Sequence, residues 1–371
     1  MSPSHNRHSP PALSDDDIVS VFLRITPDDP ARLVRASLVC KAWRRILTGP
    51  DFCRLYREFH GAPPMLGFIA NFWSNRGDVS RFVPTTAFRP PSGTDSNWKA
   101  VDSRHGRILI EPQVGDNGFL TSGYIVWDPI TNGRWGVPFP AIQRQSWTGA
   151  VLCAKKHCDH LCCHGPPFLV TMVGSCDGTT SACLYSSESG MWSDIITLKQ
   201  EDTIDWSGRS ILVGNTLYFP YQDSFRVLQY KLGEQKLSVI DVPEVHWDET
   251  PVFVSAEDSA VVFADLRGTK LFLWSAEDGA LAWVQRKVIE LEKLLPPEAL
   301  EPEPHMGSIE LRPSVCGFTE GIIFLNTIVG LFTVELNSGR TKKVSEVKMA
   351  NVIRWISFYT QDHARRMMPQ L

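Results

Sequence analysis

The first sixty residues carry apolar stripes at helical spacing, separated by clear stop signals. Ile18, Val21, Phe22 and Ile25 recur at i, i+3, i+4 and i+7, and Val19 and Leu23 widen that stripe. Ser14 with Asp17 three residues later makes a capping-box pattern. Asp15, Asp16 and Asp17 place negative charge at the positive end of the helix dipole, and Pro27 ends the segment. Asp29 and Pro30 then open a short second helix with Leu33, Val34 and Ala36. A third follows through residues 37–47, with Val39, Trp43, Ile46 and Leu47 on one stripe, stopped by Thr48-Gly49-Pro50. Asp51 starts a fourth, with Phe52, Leu55, Tyr56 and Phe59 on one face, closed by Gly61 and Pro63-Pro64. So small a unit buries little surface and carries more apolar positions than one core of its size hides. Two readings stay open: a bundle complete in itself, or a docking module whose surplus apolar surface meets a partner.

From Met65 onward the period changes to short apolar runs broken by Gly-containing turns. One theme recurs: a strand ending near an aromatic, a turn, then a last strand. Its clearest copies lie at 124–135, 182–192, 228–233, 271–279 and 331–340. Inner strands are expected at 105–110, 211–219 and 320–325. The copies are spaced by about 45 to 60 residues, close to the repeat length of β-propeller blades. Five blades are recognisable and a sixth fits, completed by 352–360 pairing with 65–73 to latch the ring. A pair of β-sandwiches is the alternative architecture. Residues 286–295 read as helical or extended, and 294–304 as a Pro/Glu-rich surface loop. The expected organisation is an α+β multidomain chain. It has a disordered tail (1–12), an all-α module (13–60), an all-β, kelch-like propeller domain of about six blades (65–360) and a C-terminal tail (361–371).

Composition narrows the function. Hydrophobic residues are 43% and charged residues 21% of the 371, which suits a folded chain and not a disordered one. Lys and Arg number 37 against 41 Asp and Glu, so no basic excess exists to neutralise a phosphate backbone, and nucleic acid is not expected as a partner. No apolar run reaches membrane-spanning length, no Asn-x-Ser/Thr acceptor occurs, and the first twelve residues lack a signal-peptide core. Nine clumped cysteines do not read as a disulfide framework. The expectation is the cytoplasm, the nucleus or both, with no membrane partner.

Catalytic motifs are missing: no Gly-x-Ser-x-Gly elbow, phosphate loop, Gly-x-Gly-x-x-Gly or His-Glu-x-x-His occurs. One cluster stands out, Cys153, His157, Cys158, His160, Cys162, Cys163 and His164. Cys158 and Cys162, with His157 or His160 and with His164, could close a tetrahedral zinc site. The plainer reading, which needs no cofactor, is a loop of reduced thiols joining a strand at 147–154 to one at 167–173. Trp127, Trp135, Trp192 and Trp274 read as blade core, and the acidic run at 15–17 as a helix start.

The run from Leu13 to Leu47, with Ser37-Leu38-Val39-Cys40-Lys41-Ala42-Trp43, resembles an F-box. It departs at Ser14, where proline is usual, and at Thr26, where the turn often has leucine. The phrases Trp127-Asp128-Pro129, Gly214-Asn215-Thr216-Leu217-Tyr218 and Val334-Glu335-Leu336-Asn337-Ser338-Gly339-Arg340 are similar to the F-box-associated propeller-like domains common in large plant F-box families. The resemblance implies a non-catalytic substrate adaptor of a Skp–cullin–F-box (SCF) ubiquitin ligase. The F-box would dock on the Skp-type adaptor, and through it the cullin–RING ligase. The β domain would recruit a substrate protein that the sequence does not identify. Carried over by position, the implied adaptor contacts are Leu13, Ile18, Phe22, Leu23, Leu33, Leu38, Val39, Cys40 and Trp43. The alternatives are an F-box protein acting outside the ligase and a metal-binding propeller protein.

Overall fold

Helix signals in the sequence become four helices in the computed structural model: α1 (Asp15–Leu23), α2 (Pro30–Ser37), α3 (Lys41–Leu47) and α4 (Pro50–His60). The structure describes residues 13–26, 30–47, 49–60, 65–74, 77–84, 88–90, 98–112, 123–141, 145–156, 158, 160, 165–205, 210–222, 224–242, 252–255, 261–276, 283–301, 313–319, 322–336, 338–346 and 351–356. Asp29, expected as a cap, lies outside them. Phe22, Leu33, Leu47, Phe52 and Tyr56 fill the module's core. Phe22 meets Trp43 and Phe52 edge-on, at centroid distances of 5.1 and 6.4 Å. Among the described residues no helix is long and apolar enough to cross a membrane.

The β part begins with β1 (Met65–Ser74) and β2 (Gly77–Pro84). Five antiparallel sheets follow in chain order. The first holds β3 (Trp98–Arg104), β4 (Arg107–Pro112), β5 (Gly123–Asp128) and β6 (Gly133–Pro138). The second holds β7 (Ser146–Cys153), β8 (Phe168–Cys176), β9 (Thr179–Ser186), β10 (Met191–Trp192) and β11 (Ile196–Lys199); the last two both pair with β9, so they act as one interrupted outer strand. The third holds β12 (Ile211–Val213), β13 (Thr216–Pro220), β14 (Arg226–Lys231) and β15 (Lys236–Asp241). The fourth holds β16 (Val252–Ser255), β17 (Val261–Arg267), β18 (Lys270–Ala276) and β19 (Val284–Glu290). The fifth holds β20 (Ser314–Thr319), β21 (Ile322–Thr327), β22 (Gly330–Glu335) and β23 (Thr341–Ser345). Finally β24 (Asn351–Ile356) pairs antiparallel with β1, from Met65↔Ile356 to Asn71↔Asn351.

The first strand of each sheet lies inward: β24 meets β3, β3 meets β7, β12 meets β16, β16 meets β20, and β20 meets β24. This is a propeller of five full blades and a three-stranded sixth, closed by the two chain ends of the domain. It bears out the expected latch and displaces the sandwich alternative. Residues 357–360 of the expected latch lie outside the described residues.

Blades are held side by side by apolar clusters and by polar straps. Asp102 on β3 accepts the Val151 N–H of β7 at 2.8 Å and an Arg104 N–H at 2.9 Å. Trp192 Nε1 donates to Pro138 O, and Trp283 Nε1 to Asp241 O, each at 3.0 Å, so an indole ties one outer strand to the blade before it in two places. Trp127 is buried, and Trp135, Trp192 and Trp274 pack against the core clusters, as expected of blade residues.

Three expectations need correction. Segments 107–110 and 322–325 belong to second strands, not inner ones; His105-Gly106 is itself the tight turn (φ 51° and 71°) that ends β3, and residues 320 and 321 lie outside the described residues. Residues 294–301 are not simply a surface loop, and 302–304 lie outside the described residues. Leu291 and Ala299, on two short 3-10 turns, and Leu295 between them bury against Ile323, Leu325 and Val334. The third helix starts only at Lys41, so Val39 sits in the preceding turn, 64% exposed, and leaves the buried stripe.

Candidate functional site

At the start of α1 the Asp17 N–H donates to Ser14 Oγ at 3.2 Å. The Ser14 N–H and hydroxyl donate back to the Asp17 carboxylate at 3.1 and 2.6 Å. These bonds, the Ser14 hydroxyl first, hold the Asp17 carboxyl below its ordinary value. Serine where proline is usual thus supplies a full capping box. At the other end of α1, Tyr56 donates to Ile25 O at 2.8 Å and His60 Nε2 to Leu23 O at 2.7 Å, occupying carbonyls that the helix leaves over. Arg45 reaches Asp15 at 3.0 Å across two exposed side chains, which adds little energy but sets α3 against α1.

With the core filled, other apolar residues are left outside. Leu13, Leu38 and Val39 are 64%, 59% and 64% exposed, and Cys40 is exposed beside them. Cys40 Sγ accepts the Trp43 N–H at 3.4 Å, so it also caps α3. Ile18, Leu23 and Trp43 are half-buried. Phe22 and Leu33 are internal to the module, so they shape its surface without forming it. Val21 and Phe59 are also exposed, at 55% and 61%, and the sequence reading did not count them as contacts. Their signal was present: each lies at the margin of a stripe whose core slots other residues fill.

Three members of the cysteine–histidine cluster fall among the described residues. Cys153, Cys158 and His160 place their ligand atoms within 4.8 Å of one another. Cys162, His164, His157 and Cys163 lie outside the described residues. The flanking strands, β7 and β8, are where the sequence placed them.

Comparison with known families follows this division. Residues 11–55 match the F-box domain model, and residues 99–358 match the model described as F-box protein AT5G49610-like, beta-propeller. No curated protein matches the chain. Among solved structures, one similar to it is a protein from Lactobacillus plantarum, at 11% identity over 78% of this chain and 82% of that one, with a TM-score of 0.42. Another is an oligogalacturonate lyase in complex with manganese, at 10% identity over 72% and 70%, with a TM-score of 0.38. Likeness at this level carries no argument about activity.

Proposed function

The chain belongs to the F-box proteins with an AT5G49610-like beta-propeller, and on that premise we propose that it is a substrate-recognition adaptor of an SCF-type ubiquitin ligase. The F-box docks on a Skp-type adaptor, and the propeller holds a substrate protein. The chain performs no bond chemistry in this reading; it raises the concentration of a substrate beside a ligase that does.

The observation that carries the reading is the α2–α3 turn. Leu38, Val39 and Cys40 stand exposed and consecutive on a module whose own core is complete without them. Apolar side chains left out of a filled core lose water only when a partner covers them. Because Leu38 and Val39 are not core residues, they can be changed without unfolding the module. Leu38→Ser with Val39→Ser is expected to weaken binding to a purified Skp-type adaptor by roughly thirtyfold or more, the effect of losing a ~2 kcal/mol contact, with the helical circular dichroism unchanged. Calorimetry on the full chain measures it. Wild-type affinity in the folded double variant would show the docking surface to be elsewhere. Trp43→Ala is a poorer probe, since Trp43 packs on Phe22 and its loss also loosens the module. Recovery of a cullin with the chain, dependent on the same two residues, separates ligase membership from an F-box that serves outside it.

A further inference from the structure

We propose that Cys153, Cys158 and His160 form a zinc site at the seam between the first two blades. Nothing in the adaptor reading requires it. The two sulfurs and the imidazole nitrogen already lie within 4.8 Å of one another. Tetrahedral zinc, with bonds of about 2.3 Å to sulfur and about 2.0 Å to nitrogen, sets its ligands about 3.4–3.8 Å apart, so a contraction of about 1 Å brings three corners of the tetrahedron together and leaves the fourth to water.

The scaffold around the three donors is built. Cys153 ends β7, in register with Phe168 of β8, so the first donor sits on a paired strand. His160 adopts φ +58°, a left-handed conformation rare for a residue with a side chain. Its ring lies parallel to that of His105, with centroids 3.9 Å apart and planes at 20°. His105 holds φ +51° in the β3–β4 turn, where asparagine or glycine is usual, and its Nδ1 accepts the Cys153 N–H at 3.1 Å. His105 therefore carries its ring proton on Nε2 and supports the site from outside. Past the donors, Gly165 O accepts two bonds from the buried Arg107, at 2.6 and 3.0 Å, which pins the far end of the loop to the first blade.

Two thiolates and an imidazole are soft donors, which select zinc over magnesium or calcium. Two thiolates also balance the charge of the ion, which suits a partly buried position. Binding would release the two thiol protons. The stretch 161–164 carries no part of the proposal.

The test uses the full chain purified under reducing conditions. Atomic emission after dialysis against metal-free buffer is expected to find about one zinc per chain. Cobalt exchanged for it should show a thiolate-to-metal charge-transfer band and the intense visible bands of a tetrahedral site. Cys153→Ser and Cys158→Ser should each abolish that spectrum, and His160→Gln should weaken zinc by about tenfold or more, whereas Cys316→Ser should change nothing. Lys155 and Lys156, both exposed, lie between the two thiol donors, so chelator should speed lysyl-endoproteinase cleavage there and zinc should slow it again. The cobalt spectrum of the wild-type chain decides even if a variant misfolds. The proposal fails if no zinc is held, if the folded variants hold as much as wild type, or if alkylation and mass spectrometry find Cys153 and Cys158 joined as a disulfide.

Discussion

Arg107 is fully buried at the start of β4, and its partners there are carbonyls: Gly165 O through Nε and Nη2, and His105 O through Nη1 at 2.9 Å. A guanidinium suits this place because its planar fork reaches two carbonyls on different segments at once, which an ammonium cannot. Arg107→Leu leaves those buried acceptors without their donors, at roughly 1–3 kcal/mol for each stranded group. Chemical denaturation followed by tryptophan fluorescence is expected to show a loss on the order of 3 kcal/mol, with Arg107→Lys between the two; an unchanged midpoint would mean that water replaces the fork. Asp128 is another residue whose work is local. Its carboxylate accepts the N–H groups of Ile130 and Thr131, at 3.0 and 3.2 Å, and the Thr131 hydroxyl at 2.7 Å, which sets the turn between β5 and β6. The sequence reading used Trp127-Asp128-Pro129 only as a family phrase; the turn chemistry explains why aspartate stands there.

At the scale of elements, some strand positions are packed so closely by their own paired strand that they admit no side chain. Gly149 on β7 is one: a Cβ there would lie 2.6 Å from Met172 Sδ, 2.7 Å from Thr171 O and 3.3 Å from Leu109 Cδ2 of the blade before. Met172 can yield, but the Thr171 carbonyl belongs to the paired strand β8 and cannot. Gly149→Ala is therefore expected to destabilise the propeller by about 1–3 kcal/mol, the usual cost of overpacking. Gly136→Ala on β6, where a Cβ meets nothing within 4 Å, serves as the matched control and should be close to neutral. Thermal melts of the two variants compare them directly; equal melting points would show that β8 gives way.

Over the whole molecule, closure rests on one pairing between distant segments. β24 is both the inner strand of the sixth blade and a neighbour of β3 and β20. Removing residues 347–371 leaves β1 and β2 as a two-stranded hairpin, which is marginal by itself, and opens β1 to edge-to-edge association. The shortened chain is expected to lose its cooperative unfolding transition and to elute as larger species in size-exclusion chromatography. A monomer with the melting point of the full chain would show that the ring does not depend on its latch.

The sequence by itself determined whatever physical rules confine to a few neighbouring residues. The helix cap at Ser14, the helix start at Pro30, the change from helical to strand period after Pro64, and the Gly-turn punctuation of the blades are all of that kind. They sufficed for the order of the elements, and hydrophobic matching sufficed for the latch. Only the tertiary structure decided which apolar residues are spent on the core. Leu33 and Val39 look alike as sequence, yet one is wholly buried and the other mostly exposed, because three other helices settle the matter. The same holds for the thiols. Spacing alone listed seven donors, and among the described residues it is the end of a paired strand that sets Cys153 beside Cys158 and His160, since ligand geometry depends on where strands end in space and not on the count of residues between them.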